Sequence, residues 1–232
     1  MRCLACIQPS YIPWRGYFHI IRKSHVFVFL DDVQHTRRDW RNRNRIKTAG
    51  GSQWLTVPVG KVPLSTRINE VRLDPSSGWA EKHWNRIESS YARAPFFEQY
   101  APSLKAIYEH SWTSLSDLDI ALTIKLCELL GIHHVEFHRG SDLDIVATKT
   151  DRFLEMCDRL GATRYLSGPA ARSYIQPADF ERAGLELEWM VYDYPEYEQL
   201  YPPFEPQVSV IDLLFMKGSE AGHWIWGTAR TD

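Results

Sequence analysis

The sequence predicts a single α/β domain spanning residues 1–232, with a Rossmann-like, mainly parallel sheet and a helical insertion around residues 79–131. Three observations predict this fold. Residues 3–30 read as strand, loop, helix and strand, the βαβ unit. Later β-rich runs alternate with helical patterns, which places strands side by side and parallel. The chain has 232 residues, 44% hydrophobic and 24% charged, enough for one packed core.

The elements follow in order. CLACI at 3–7 is an apolar run that stops at Gln8-Pro9, because proline cannot donate to a sheet ladder. QPSYIPW at 8–14 is a loop stiffened by two prolines. WRGYFHIIRK at 14–23 sets Trp14, Tyr17, Phe18 and Ile21 at helical spacing. VFVFL at 26–30 is a strand closed by Asp31-Asp32. WLTVPV at 54–59 and RINEVRL at 67–73 read as further strands, the former compromised by Pro58. Residues 79–131 turn helical, in about three helices, the last ending at Gly131. HVEFH at 134–138 returns to strand, and 150–160 is an amphipathic helix closed by Gly161. A short strand at 164–166 leads into SGPAA, a strand follows at 185–191, and an apolar helix at 208–215 completes the map. Residues 193–207, rich in Tyr, Pro and Glu, read as an irregular surface loop.

Composition excludes several classes. With 27 basic and 29 acidic residues, the net charge of −2 gives no global attraction to nucleic acid or membrane. No apolar run reaches the roughly 18 residues of a membrane span, and no signal-peptide pattern opens the chain. Four cysteines suit a reducing, cytoplasmic setting. Cys3 and Cys6 form a C-x-x-C, but on a strand they point to opposite faces and no second ligand pair accompanies them, so no metal site is expected.

In an open parallel sheet, ligands bind beyond the carboxyl ends of the strands. Three segments fall there. After the first strand, Gln8 and Tyr11 are candidates to position a substrate, and His19 titrates in the range of a general base. After the second, Asp31 and Asp32 are candidate bases or turn caps, with Gln34 beside them. After a late strand, Ser167 and Gly168 can cradle an anion through backbone N–H groups. RRDWRNRNRIK at 37–47 is the densest cationic stretch, and Arg41, Asn42, Arg43, Asn44 and Lys47 are candidates to grip phosphate, a nucleotide diphosphate or RNA. Ser209 and Asp212 in QVSVIDLLF fit a helix cap. No G-x-S-x-G, H-E-x-x-H, P-loop or G-x-G-x-x-G occurs, which sets aside the common hydrolase, zincin, NTPase and dinucleotide readings.

Several segments together carry a family likeness: IQPSYIPWRGYF at 7–18, HVFVFLDDVQ at 25–34, RNRIKT at 43–48, WLTVPV at 54–59, YLSG at 165–168 and SVIDLLF at 209–215. In this order the chain resembles the WbqC-like family over residues 3 to about 218. It departs from the pattern at Met216, where an Asn is expected. The resemblance implies a bacterial protein of surface-polysaccharide (O-antigen) or natural-product biosynthesis, modifying an amino sugar or similar metabolite. The expected activity is acyl or aminoacyl transfer to an amine, forming an amide. Its expected partner is a small-molecule substrate bearing phosphate or carboxylate. No cofactor is required by the sequence; an activated acyl donor, a nucleotide or Mg is compatible with it.

Two alternatives stand beside this reading. GYFHII at 16–21 resembles the helix of nucleotidyltransferases that use ATP, with Tyr17 where their histidine stands. A non-catalytic module that binds a ligand or RNA would use the same cationic stretch.

Overall fold

The computed structural model describes residues 1–63 and 65–227. In chain order the strands are β1 (Cys3–Ile7), β2 (Val26–Phe29), β3 (Arg43–Thr48), β4 (Gly51–Thr56), β5 (Glu136–Arg139), β6 (Arg164–Ser167) and β7 (Glu186–Trp189). The helices are α1 (Arg15–Lys23), α2 (Trp79–Tyr91), α3 (Phe97–Glu109), α4 (Leu115–Leu129), α5 (Lys149–Arg159), α6 (Pro177–Arg182), α7 (Val210–Lys217) and α8 (His223–Trp226). The chain forms two compact units. One comprises Met1–Gln8, Gly16–Asp32 and His134–Asp193; the other comprises Pro9–Arg15, Val33–His133 and Tyr194–Asp232.

The first unit is the Rossmann-like part. Its five strands are all parallel, in the order β5-β2-β1-β6-β7. The first strand lies at the centre, and the chain builds outward on one side and then the other, so the order reverses between β1 and β6. Val26–Phe29 is buried at every position, which is what a strand covered on both faces requires. On one face Leu4, Cys6, Val26 and Val28 meet Phe153, Met156 and Cys157 of α5 and Phe180 of α6. Tyr165 is sandwiched there, its ring centroid 5.1 Å from Phe153 and 5.4 Å from Phe180. Tyr17 of α1 packs edge-on against Phe27 at 5.7 Å. Gly161, at φ 63°, ends α5 in the left-handed conformation that a residue without Cβ adopts freely.

The second unit joins an antiparallel hairpin, β3–β4, to helices α2, α3, α4, α7 and α8. Tyr91, Phe97 and Phe215 form an aromatic knot, with Phe215 5.3 Å from Tyr91 and 5.0 Å from Phe97. Three helices fill residues 79–129, as the pattern predicted. Three local expectations change. RINEVRL at 67–73 is no strand: residues 68–70 form a 3-10 turn, closed by the Glu70 carboxylate accepting from the Arg67 N–H at 2.9 Å. The cationic stretch, in contrast, contains β3, which its Arg-Asn alternation disguised. Asn44 and Ile46 face inward and are buried, while Arg43 and Arg45 lie on the other face. The strand expected at WLTVPV, 54–59, lies three residues earlier as β4, Gly51–Thr56, and ends before Pro58.

Candidate functional site

In the first unit, strand register aligns the candidate residues along one edge. Ile7 pairs with Phe29 and the Leu30 N–H donates to the Ile7 carbonyl, so Gln8 and Asp31-Asp32 leave adjacent strands together. Ala5 pairs with Leu166, which brings Ser167-Gly168 to the other side of β1, at the reversal of strand order. Phe29 pairs with Arg139, so Gly140 and Ser141 complete the edge. Gln8, Asp31, Asp32, Ser167 and Gly168 therefore share the carboxyl edge of one sheet.

The two aspartates have different surroundings. Asp31 is fully buried, and its carboxylate accepts from the Ser141 N–H at 2.9 Å and the Ser141 hydroxyl at 3.0 Å. An Arg139 nitrogen lies 3.9 Å away. Burial raises its pKa, and the Ser141 hydrogen bonds and Arg139 offset this only in part. Asp32 receives an Arg152 nitrogen on both oxygens, at 2.7 and 2.6 Å. Gly140 makes this packing possible: a Cβ there would sit 2.6 Å from an Asp32 oxygen and 3.3 Å from Arg152.

His19 lies in the middle of α1, half-buried, and burial followed by the nearby Lys23 charge lowers its pKa. It is therefore a weaker base than a free imidazole. The Tyr17 hydroxyl donates to the Gln8 carbonyl at 3.1 Å, engaging the group that the nucleotidyltransferase likeness would need for phosphate. Cys6 and Tyr165 lie 3.1 Å apart beneath this edge, and burial pushes the Cys6 thiol up to about 12. Gly168 has the Tyr192 hydroxyl 3.7 Å from where its Cβ would stand.

The remaining candidates belong to the second unit. Tyr11 is fully buried, its hydroxyl 2.8 Å from His83 Nδ1 and 2.7 Å from the Tyr108 hydroxyl. Asn42 donates to the Val57 carbonyl at 2.8 Å. Asn44 donates to the carbonyls of Tyr11 and Ile12, at 3.2 and 2.8 Å, pinning a loop in which Ile12 holds φ 35°. Lys47 is buried and donates from Nζ to the Pro203 carbonyl. These three side chains brace the unit. Gln34 is exposed, its backbone bridged to Arg67. Arg41 is buried, 4.0 Å from Asp39.

Arg43 lies over the Trp54 ring at 4.3 Å and Arg45 at 5.3 Å. Trp54 and Trp40 are 42% and 41% exposed, 5.4 Å apart, so the hairpin presents cations and bare indoles together.

Sequence reasoning missed Ser141, Arg152, His83, Tyr108, Asp119 and Trp54. Each meets its partner across a long stretch of chain or a register that no local pattern encodes; the Arg152–Asp32 contact spans 120 residues. Among the described residues, no group of three or more His, Cys, Asp or Glu is placed to hold a metal ion. Likewise, no helix is long and apolar enough to cross a membrane.

A reversing parallel sheet with an acidic pair at its carboxyl edge puts this chain in the Rossmann-like α/β class. The chain belongs to the WbqC-like protein family, whose model matches residues 8–223. A relative from Mycobacterium tuberculosis (strain ATCC 25618 / H37Rv), named "Uncharacterized protein Rv1507c", is 42% identical over 228 residues, covering 97% of this chain and 98% of the relative. No solved structure matches.

Proposed function

We propose that this chain is a small-molecule transferase of bacterial surface-polysaccharide or natural-product biosynthesis, moving an acyl or aminoacyl group onto an amine. The observation that carries the reading is Asp31. It is a carboxylate buried at the carboxyl edge of the sheet, oriented by Ser141 through two hydrogen bonds, and burial raises its proton affinity. That is what a general base needs when the proton it accepts comes from an attacking amine.

In the proposed reaction, the amine nitrogen attacks the carbonyl carbon of an activated donor. The C–N bond forms and the bond to the leaving group breaks with its electron pair; the half-buried Ser141 hydroxyl takes the proton shed by nitrogen and passes its own to Asp31, to which it donates. Gln8 orients the acceptor on one side of β1, and the backbone of Ser167-Gly168 holds an anionic part of a ligand on the other. Asp32, fixed by Arg152, keeps the β2 end in place. In the second unit, Arg43 and Trp54 form a surface suited to a phosphorylated or aromatic ligand group.

The test is a coupled screen. Acyl and aminoacyl thioesters are offered with amino sugars and nucleotide-linked amino sugars, and mass spectrometry looks for donor plus acceptor less the leaving group. Wild-type protein is expected to form one such amide, and Asp31→Asn to lower its rate by about 10²-fold or more. Undiminished turnover by Asp31→Asn, or no amide from any pair, would overturn the reading.

A further inference from the structure

The outward face of the β3–β4 hairpin carries bare aromatic and cationic groups side by side. Strand alternation turns Asn44, Ile46 and Leu55 inward, where they are buried, and leaves Arg43, Arg45, Trp54 and Thr56 on the other face. Register sets Arg45 directly opposite Trp54 and Arg43 opposite Thr56. Trp40, from the turn before β3, brings a second exposed indole to 5.4 Å from Trp54, tilted by 36°. A single exposed ring needs no explanation, but two in contact form a patch of the kind that receives a partner.

The charges around the rings decide which partner fits. Arg43 lies 4.3 Å over the Trp54 ring and spends one of its five donors on the Arg38 carbonyl. Arg37 and Arg38 are exposed on the same turn as Trp40, with Arg37 donating to the Val62 carbonyl. Arg45 lies 5.3 Å from the Trp54 ring, donates to Gln207 and stands 3.9 Å from Glu205. The other carboxylate here, Asp39, accepts from the Thr36 hydroxyl at 2.6 Å and the Trp40 N–H at 2.7 Å, which engages it in the turn itself. Arg37, Arg38 and Arg43 therefore leave the patch cationic. The chain's net charge of −2 does not cancel this, because exposed charges more than about 8 Å away are largely screened at physiological salt.

We infer that this hairpin face binds single-stranded nucleic acid, with bases stacked on Trp40 and Trp54 and phosphates held by Arg37, Arg38 and Arg43. Every base has an aromatic face, so two neighbouring indoles seat successive bases without reading their identity. The rings touch each other, so bases stack on them from outside and not between them. Guanidinium forks match phosphate oxygens, and each phosphate neutralised releases counterions. A duplex keeps its base faces within its own stack, and an acidic protein surface would use the arginines and leave the indoles bare. Such binding shares Arg43 and Trp54 with the transfer reading but needs neither an acyl donor nor Asp31.

The experiment is fluorescence anisotropy of the full chain with a labelled oligouridylate of about ten nucleotides, a site size typical of one stacking platform. The strand is expected to bind more tightly than three competitors: uridine monophosphate, the same strand paired in a duplex, and inorganic polyphosphate of equal charge. Trp40→Ala and Trp54→Ala are each expected to weaken binding about fivefold or more. Trp40 lies outside the strands, so its variant decides the matter if Trp54→Ala disturbs the hairpin. Log affinity is expected to fall against log salt with a slope of about −2, as three phosphate contacts require, and Arg43→Ala to make it shallower by about 0.7. Four outcomes would overturn the assignment: no binding of the strand, equal binding of any competitor, unchanged affinity in the tryptophan variants that fold, or an unchanged salt slope in Arg43→Ala. Equal binding by the monophosphate would leave a seat for a lone nucleotide, and equal binding by polyphosphate a patch of charge alone. An inactive transfer screen with intact strand binding would sink only the transfer reading, and the converse only this one.

Discussion

Asp31 and Asp32 are adjacent in sequence, yet one side chain is sealed under Ser141 and the other is held by Arg152. Neighbouring side chains on extended backbone diverge, so their roles separate by geometry, not by residue type. Gly140 is the local constraint behind the Asp32 pair. Gly140→Ala forces a Cβ against the Asp32 carboxylate and is expected to cost about 1–3 kcal/mol, read as a lower denaturant midpoint with unchanged slope. A midpoint equal to wild type would show that Asp32 and Arg152 can swing aside freely.

Asp119 makes a residue-scale prediction about pH. Burial raises its folded-state pKa above the unfolded value, so folding favours its protonated form. The stability this contributes is full below the unfolded pKa and is lost as pH rises through the folded one. Thermal midpoints of wild type and Asp119→Asn, measured at pH 5 and pH 8, are expected to show the variant gaining on wild type at the higher pH. A difference that is the same at both values would refute the assignment.

At the scale of elements, the β3–β4 hairpin separates two kinds of cation. Arg43 stacks on exposed Trp54, whereas Lys47 is buried against the Pro203 carbonyl. Arg43→Ala is therefore expected to weaken binding of inorganic pyrophosphate by about 1 kcal/mol or more, with little change in stability. Lys47→Ala is expected to lower stability. The converse pattern, affinity lost at Lys47 and stability lost at Arg43, would reverse the two roles.

Nearby, the Asp212 carboxylate accepts from Tyr197 at 2.7 Å, Tyr91 at 3.0 Å and Gln199 at 3.1 Å, tying α7 to α2 and to the loop at 194–207. The sequence showed Ser209 capping α7, and the structure agrees: Ser209 Oγ accepts from the Ile211 N–H at 3.3 Å. It did not show that Asp212, three residues on, faces a buried network. Tyr91→Phe leaves one Asp212 oxygen short of a donor and the Lys47 N–H short of an acceptor. The expected loss is about 1–3 kcal/mol by chemical denaturation.

At the scale of the whole molecule, all four cysteines are buried free thiols. Burial holds Cys3 up to about 11 and Cys6 and Cys157 up to about 12, and raises Cys127 further. A thiol so placed is neither exposed nor ionised, so native protein is expected to resist a thiol-specific reagent and the unfolded chain to release four equivalents. Rapid labelling of native protein would contradict the core assigned to Cys6 and Cys157.

The sequence by itself determined the alternation of strands and helices, because apolar periodicity is local, and the carboxyl-edge positions of Gln8, Asp31 and Ser167, because strand ends are marked by Pro9, by paired aspartates and by Gly168. Only the tertiary structure decided the strand order, which Arg-Asn side chains faced inward from β3, and that the Asp119 and Thr123 side chains are fully buried without hydrogen-bond partners. Those facts depend on contacts between residues tens to more than a hundred positions apart. A chain's local pattern fixes which face of an element is apolar, but not which distant polar group will be enclosed beside it.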